Sequence, residues 1–381
     1  VNLPQPTPVA ARALGPDLAR GFMLLFIALA NSHYFLRGSS VLGGYPQDGS
    51  GVDSAVIWLL TTFVDGRAFP MFGALFGYGI ARIAWRQQAL GPRAVRRLLW
   101  RRSLVLVAVG FLHALLLYAG DILTAYGVLL LAGAWSVRWK DRWLLVIALL
   151  FFLLGTLPSG GSSTIGGDPP DETMLPPDVA TMIVNRAQTS LYVASLGPLG
   201  FVCPFMIGLW AGRRRILEQA ERYRRSLRIT ASVGIGAAVL GAQPISLMLA
   251  GVVTPPHQST LEVLGPLHDA TGTLGGFGYA AMLALVAVRF QARGPGTVVN
   301  AIAAAGQRSL TCYLAQSVVW ALVFTPFLLD LSGTLTVTTT ALLAAATWLI
   351  TVVLADWMRR TERRGPFEVV IRRITYRHAP R

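Results

Sequence analysis

Residues 20–37 read RGFMLLFIALANSHYFLR, an apolar run opened by Arg20, closed by Arg37 and interrupted by Asn31 and His33. About 20 apolar residues span a bilayer, so this stretch is expected to form a membrane-crossing helix. Nine further segments read the same way, roughly 66–85, 98–118, 122–137, 143–157, 191–212, 229–251, 266–290, 302–328 and 333–358. The fourth and fifth are short and their limits soft. The expected class is therefore all-α: a polytopic integral membrane bundle of about ten transmembrane helices, with the whole chain, 1–381, as one membrane domain.

Composition agrees. The chain is 54% hydrophobic and only 13% charged, about half the charge of a soluble protein, and its mean hydropathy is +0.55. The formal net charge of +15 lies in short arginine clusters between apolar runs rather than in a basic domain or groove. That placement follows the positive-inside rule and excludes a nucleic-acid partner. Arg86 to Arg102, Arg138 to Arg142, Arg213 to Arg228, Arg289 to Arg293 and the basic tail 359–381 are all expected on the cytoplasmic side, with both termini. The opposite side receives 38–65, the turn near Asp121, the long extracytoplasmic loop 158–190, 252–265 and 329–332, rich in Gly, Pro, Ser and acids. Residues 54–64 are too short to cross and read as an interfacial helix. Arg20 followed by Ala28-Leu29-Ala30 imitates a signal peptide, but the segment is expected to remain as a span.

Ionisable and polar groups inside such spans cost free energy unless they serve one another or a ligand, so they mark candidate sites. At 100° per residue, Arg20 and Asn31 fall within about 20° of one face and roughly 16 Å apart along the axis, with Asp17 one turn below. A cationic mouth suits a phosphate-bearing donor, and a deeper carboxamide suits a carbonyl or oxyanion. The plainer reading is that Arg20 obeys positive-inside and Asn31 joins helices. His33 points about 140° away from Arg20, toward an outer vestibule. His113 lies about 22 Å up the third span, at the depth of Asn31. Asp121, after Gly120, can fold back to orient the imidazole as a base; a satisfied intramembrane histidine beside a loop acid is the alternative.

His268 and Asp269 open the eighth span, near His257 and Glu262, and are candidates for a substrate entrance. In the ninth, Arg308, Ser309, Thr311, Tyr313, Gln316 and Ser317 form a polar run that can take a donor head group. Gly73-x-x-x-Gly77 and Gly208-x-x-x-Gly212 are helix-packing signals. Gly272 to Gly278 follows no strand and is no dinucleotide loop. Cys203 and Cys312 read as small core residues. No P-loop, nucleophile elbow or metal-spaced His/Cys cluster appears, so no metal is expected.

The opening Gly15-Pro16-Asp17-Leu18-Ala19-Arg20-Gly21-Phe22 leading to Asn31 resembles that of YeiB-like bacterial membrane proteins. The resemblance continues through Leu75-Phe76-Gly77-Tyr78-Gly79, Arg101-Arg102, Gly110-Phe111-Leu112-His113 and Gly120-Asp121-Ile122-Leu123. It resumes at Pro204-Phe205-Met206-Ile207-Gly208, Gly306 to Ser317 and Gly365-Pro366-Phe367-Glu368, covering nearly the whole chain. That family is grouped with transmembrane acyltransferases, which include the lysosomal heparan glucosaminide acetyltransferase and bacterial enzymes that modify surface sugars. The resemblance implies a bacterial cytoplasmic-membrane protein moving an acyl group, acetyl above all, from cytosolic acyl-CoA to a hydroxyl or amine acceptor on the far side. Asn31 stands where sugar O-acyltransferases of the wider group carry a histidine, so His113 with Asp121 becomes the preferred base and orienter, with His33 in reserve. Arg20, Asp17, Arg308 and Gln316 are assigned to the donor. The alternative is a transporter or lipid flippase using the same buried groups as a substrate or proton pathway. A third reading is a scaffold whose arginines touch anionic lipid. The Gly-x-x-x-Gly faces serve a homodimer or a single bundle equally well.

Overall fold

The computed structural model describes residues 13–162, 165–294 and 296–376; the first twelve residues and the last five of the basic tail lie outside them. The fold is all-helical apart from a two-stranded hairpin. In chain order the helices are α1 (Leu14–Ser32), α2 (Gly51–Phe63), α3 (Ala68–Arg86), α4 (Pro92–Leu116), α5 (Leu123–Gly133), α6 (Asp141–Leu154), α7 (Val179–Arg213), α8 (Arg224–Leu249), α9 (Gln258–Arg293), α10 (Thr297–Gln307), α11 (Ser309–Phe324), α12 (Val337–Arg360) and α13 (Pro366–Tyr376). The hairpin pairs β1 (Val41–Leu42) antiparallel with β2 (Tyr45–Pro46). Among the described residues, seven helical segments are long and apolar enough to cross a membrane, with α2 and α3 counted as one. The protein is thus a multi-pass membrane protein.

Local chemistry sets the helix boundaries. Ser50 and Asp53 form a reciprocal capping box at the start of α2, and Thr336 and Thr339 form one at α12, each satisfying N–H groups that the helix leaves without partners. Asp53 also accepts from the Thr338 N–H at 2.9 Å and hydroxyl at 2.7 Å, fastening α2 to α12. The two Gly-x-x-x-Gly motifs meet each other: Gly77 lies against the Phe205 carbonyl and Gly208 against the Ala74 carbonyl, bringing α3 and α7 into backbone contact.

Two expectations from hydropathy need correction. The loop expected over 158–190 ends at Asp178, whose carboxylate accepts from the Thr181 N–H at 2.9 Å and caps α7. The ninth segment is broken: α10 ends at Gln307, Arg308 adopts φ −116°, ψ 31°, and α11 begins at Ser309. Arg308 offers no cap of its own. Glu368 of α13 supplies it, accepting from the Leu310 and Thr311 N–H groups at 2.9 and 3.2 Å and from the Thr311 hydroxyl at 2.5 Å. Glu368→Ala is therefore expected to cost about 0.5–2 kcal/mol, the worth of a helix cap, and to speed amide exchange at Leu310 and Thr311, read by hydrogen-exchange mass spectrometry.

One end of the bundle gathers tryptophan and arginine. Trp85, Trp135, Trp139, Trp143 and Trp357 are exposed there, and arginines lie over rings at the same end: Arg82 over Trp85, Arg96 over Trp100, Arg142 over Trp143, Arg214 over Trp210 and Arg363 over Trp357, at 4.6–5.6 Å. Such a belt is the signature of a headgroup interface. The opposite end is joined by Arg37–Asp330 at 3.4 Å, by Ser159 N–H to the Glu262 carbonyl and by Gly43 N–H to the Gly166 carbonyl.

Candidate functional site

A cavity of about 340 Å³ opens at the arginine-rich end, between α1, α3, the α10–α11 break and α13. Seven arginines line it, Arg20, Arg82, Arg86, Arg102, Arg308, Arg364 and Arg372, against Asp17, Glu218 and Glu368. The acids are already engaged. Glu218 pairs with Arg82 at 2.6 Å and Arg215 at 2.9 Å, Asp17 with Arg20 at 3.4 Å, and Glu368 caps α11. The cavity therefore carries a positive excess with low-dielectric walls, which concentrates anions.

Arg20 is held by Asp17 and by the Leu75 carbonyl at 3.3 Å. Arg308 donates to the Ala304 carbonyl at 3.2 Å and the Arg363 carbonyl at 2.6 Å, so the helix break itself aims it. Both line the cavity with Asp17, bringing together three of the four residues assigned to a donor. Gln316 is apart from the lining: it is buried and donates to the Leu24 carbonyl at 3.4 Å, joining α11 to α1. Asn31, half-buried at the end of α1, is also absent from the lining.

Met23, Leu123, Tyr126 and Tyr313 belong to the apolar part of the lining. The Tyr313 ring lies 5.0 Å from the His113 ring. His113 Nδ1 is 2.8 Å from Asp121 Oδ1, and both side chains are buried. Asp121 Oδ2 accepts from the Thr124 N–H at 2.8 Å and its hydroxyl at 3.0 Å, capping α5 and fixing the carboxylate. Gly110, one turn before His113, leaves the space in which Asp121 and Thr124 approach α4. A carboxylate on Nδ1 holds the proton there and leaves the Nε2 lone pair available. Nε2 is buried with no hydrogen-bond partner among the described residues, and the Tyr313 hydroxyl is buried with its oxygen facing the Ile122 backbone. This is the arrangement of an oriented base beside a phenolic donor.

His33 and His268 lie together at the opposite end. His268 is fully buried, so it forms no open entrance. Its Nε2 accepts from Arg67 at 2.8 Å, and Nδ1 faces Asp269 at 3.5 Å. Arg67, also fully buried, reaches the Ala238 carbonyl at 2.8 Å and the Asp65 carbonyl. His33 stacks on Tyr45 at 3.9 Å, and the Tyr45 hydroxyl donates to Asp65 at 2.6 Å. Asp65, Arg67 and Tyr45 carry no periodic signal in the sequence, where Asp65-Gly66-Arg67 looks like an interfacial turn. Among the described residues, no group of three or more His, Cys, Asp or Glu side chains is placed to hold a metal ion.

Residues 211–378 match a family model described as "Protein of unknown function (DUF418)". The chain is 26% identical to "Uncharacterized protein YxaH" of Bacillus subtilis (strain 168), over 98% of this chain and 96% of that protein. It is 25% identical to "Uncharacterized 39.9 kDa protein in amylase 3'region" of Bacillus acidopullulyticus, over 94% of this chain and 92% of that protein. The similarity therefore runs end to end along both relatives and names no activity. The matched region holds Arg308, Tyr313 and α13, but not His113 or Asp121.

Proposed function

We propose that the protein is a membrane acyltransferase that takes an acyl group, acetyl in the first instance, from cytosolic acyl-CoA and delivers it to a hydroxyl or amine on the extracytoplasmic side. One observation carries this reading: Tyr313 lines an arginine-rich cavity, and its ring lies 5.0 Å from that of a carboxylate-oriented histidine with an unpartnered Nε2. Arg20 and Arg308 take donor phosphates as charge-assisted, bidentate partners. At about 340 Å³ the cavity suits the phosphate-bearing arm of a donor whose nucleotide remains at the mouth. The Tyr313 hydroxyl polarises the thioester carbonyl. His113 Nε2 removes the acceptor's proton as the new acyl bond forms and the thiolate leaves, then returns that proton to the thiolate.

In this reading the tryptophan and arginine end faces the cytoplasm of a bacterial inner membrane, as positive-inside requires. The chain crosses ten times, with α10 and α11 forming one broken crossing, so both termini are cytoplasmic. Calorimetry of acetyl-CoA against the detergent-purified protein tests the donor site. Saturable binding is expected, weakening as ionic strength rises. Arg20→Ala should weaken it roughly tenfold to a hundredfold, the loss of a hydrogen bond to a charged group. A folded wild type that binds neither acetyl-CoA nor a longer acyl-CoA would overturn the reading.

Transport is the second reading, favoured by the aromatic contacts between His113 and the opposite end. Phe35 stacks on Phe324 at 4.8 Å and packs on Tyr118 at 5.6 Å. Such a layer is also what a closed gate needs. Acyl-CoA-independent solute movement in proteoliposomes would establish it in place of transfer.

A further inference from the structure

The cluster at the end opposite the arginine cavity contains more unsatisfied polarity than packing explains. His33 is 2% exposed and Asp65 7% exposed. Asp65 Oδ1, Arg67 Nε and one His33 nitrogen are buried without a hydrogen-bond partner among the described residues, the other side of the His33 ring facing the Leu29 carbonyl. Each such atom costs about 1–3 kcal/mol relative to a satisfied one. Three such atoms, one on each of three side chains joined through Tyr45 and its neighbours, indicate a polar occupant rather than a packing defect.

Charge selects the occupant. A phosphate would meet the Asp65 carboxylate, and an ammonium would meet the fully buried Arg67 guanidinium. The buried Asp65 and Arg67 offset one another, while the further acid, Asp269, is a third exposed on the far side of His268, and His33 adds a ring nitrogen that can accept. The matching ligand is neutral and alternates donors with acceptors, as neighbouring hydroxyls do. Tyr34 and Tyr45 add aromatic surfaces, their rings lying 4.2 and 3.9 Å from that of His33.

The cover over the cluster is slight. The β1–β2 hairpin has two residues in each strand. Gly44, at φ +80°, brings its turn so close that a Cβ there would lie 3.1 Å from the His33 ring. The Gly43 N–H to the Gly166 carbonyl and the Gln47 amide to the Leu249 carbonyl hold it down. None of the cluster residues lines the arginine cavity.

We infer that His33, Asp65 and Arg67 form a second ligand site, reached beneath the β1–β2 hairpin, for a neutral polyhydroxylated molecule. His33 and Asp65 accept its hydroxyl protons, and Arg67 Nε donates to one of its oxygens. That this ligand is the acyl acceptor rests on the transfer reading above; the site itself does not. Phe35, two residues beyond His33, packs on Tyr118, whose ring lies 6.5 Å from that of His113, so an aromatic path links the two centres.

The test uses full-length protein in nanodiscs with 13C-labelled histidine rings, the His33 resonance being assigned by its loss in His33→Gln. Glucose, myo-inositol, inorganic phosphate and ethanolamine are titrated separately, with acetyl-CoA in a parallel arm. A saturable shift of the His33 signal is expected with glucose or myo-inositol, and none with the two ions. Asp65→Asn should weaken it at least tenfold. Should that variant fail to fold, Tyr45→Phe, which removes only the hydroxyl bonded to Asp65, is expected to change the polyol affinity without altering acetyl-CoA binding. A His33 signal unmoved by either polyol in folded protein would mean the cluster holds water only, and a shift with phosphate or ethanolamine would mean an ionic ligand; each overturns the inference. A polyol response without acetyl-CoA binding would keep the site and remove acyl transfer, and the reverse result would keep transfer and remove the site.

Discussion

His113→Gln and Asp121→Asn are each expected to lower acyl transfer by roughly 10²–10⁴-fold, the usual worth of a positioned general base, while leaving acetyl-CoA affinity close to that of the wild type. In the proposed transfer His113 acts through Nε2, and Asp121 positions it through the 2.8 Å contact with Nδ1. The asparagine variant is the more informative. Asp121 Oδ2 already serves the Thr124 N–H and hydroxyl, so an introduced amide keeps its oxygen there and turns its NH₂ toward Nδ1. The proton then moves to Nε2, and the base becomes a donor at the position where a lone pair is needed. Transfer of label from acetyl-CoA into envelope glycan and lipid fractions, with folding checked by size-exclusion chromatography, gives the readout. Full turnover by both variants would remove these roles.

The pairing of His113 with Asp121 was legible because it is local: eight residues, a helix end and the Gly120 turn bring the two together. Arg20 with Asp17 was legible for the same reason, being one turn apart on one face. The arrival of Arg308 beside them depends on a break in the ninth hydrophobic segment, and hydropathy does not register a break when both halves are apolar. The cap that permits it comes from Glu368, 58 residues after Leu310, a distance over which periodicity says nothing. Asp65, Arg67 and Tyr45 were illegible for a related reason. Each reads as a turn or loop residue; Arg67 is buried where the α2–α3 turn meets α8 and α9, and Tyr45 where the hairpin lies on His33 and Asp65. The tryptophan belt was present in composition but distributed over four connections, so it emerges only when the helix ends are gathered at one face.

Gly21→Val and Gly306→Val should be the most damaging single substitutions for the bundle, and they should carry the donor site with them. A Cβ on Gly21 would overlap the Ile302 carbonyl; one on Gly306 would overlap the Asp17 carbonyl and come within 2.8 Å of the Gly21 nitrogen. The opposing atoms are backbone, so no rotamer change relieves the overlap, and α1 and α10 must separate. Overpacking of this kind costs typically 1–3 kcal/mol, with the upper end or beyond expected where only backbone can move. Gly306 lies two residues before Arg308, and Gly21 directly follows Arg20, so the same displacement pulls apart the two arginines assigned to the donor phosphates. Lower thermal stability should therefore accompany weaker acetyl-CoA binding in whatever fraction folds. Gly200→Val in α7 is the control, because a Cβ there meets nothing within 4 Å. It is expected to change stability by no more than about 0.5 kcal/mol. Equal stability of the three variants in a detergent melting assay would show that α1 and α10 are not held at backbone contact, and the geometry assigned to Arg20 and Arg308 would fall with that crossing.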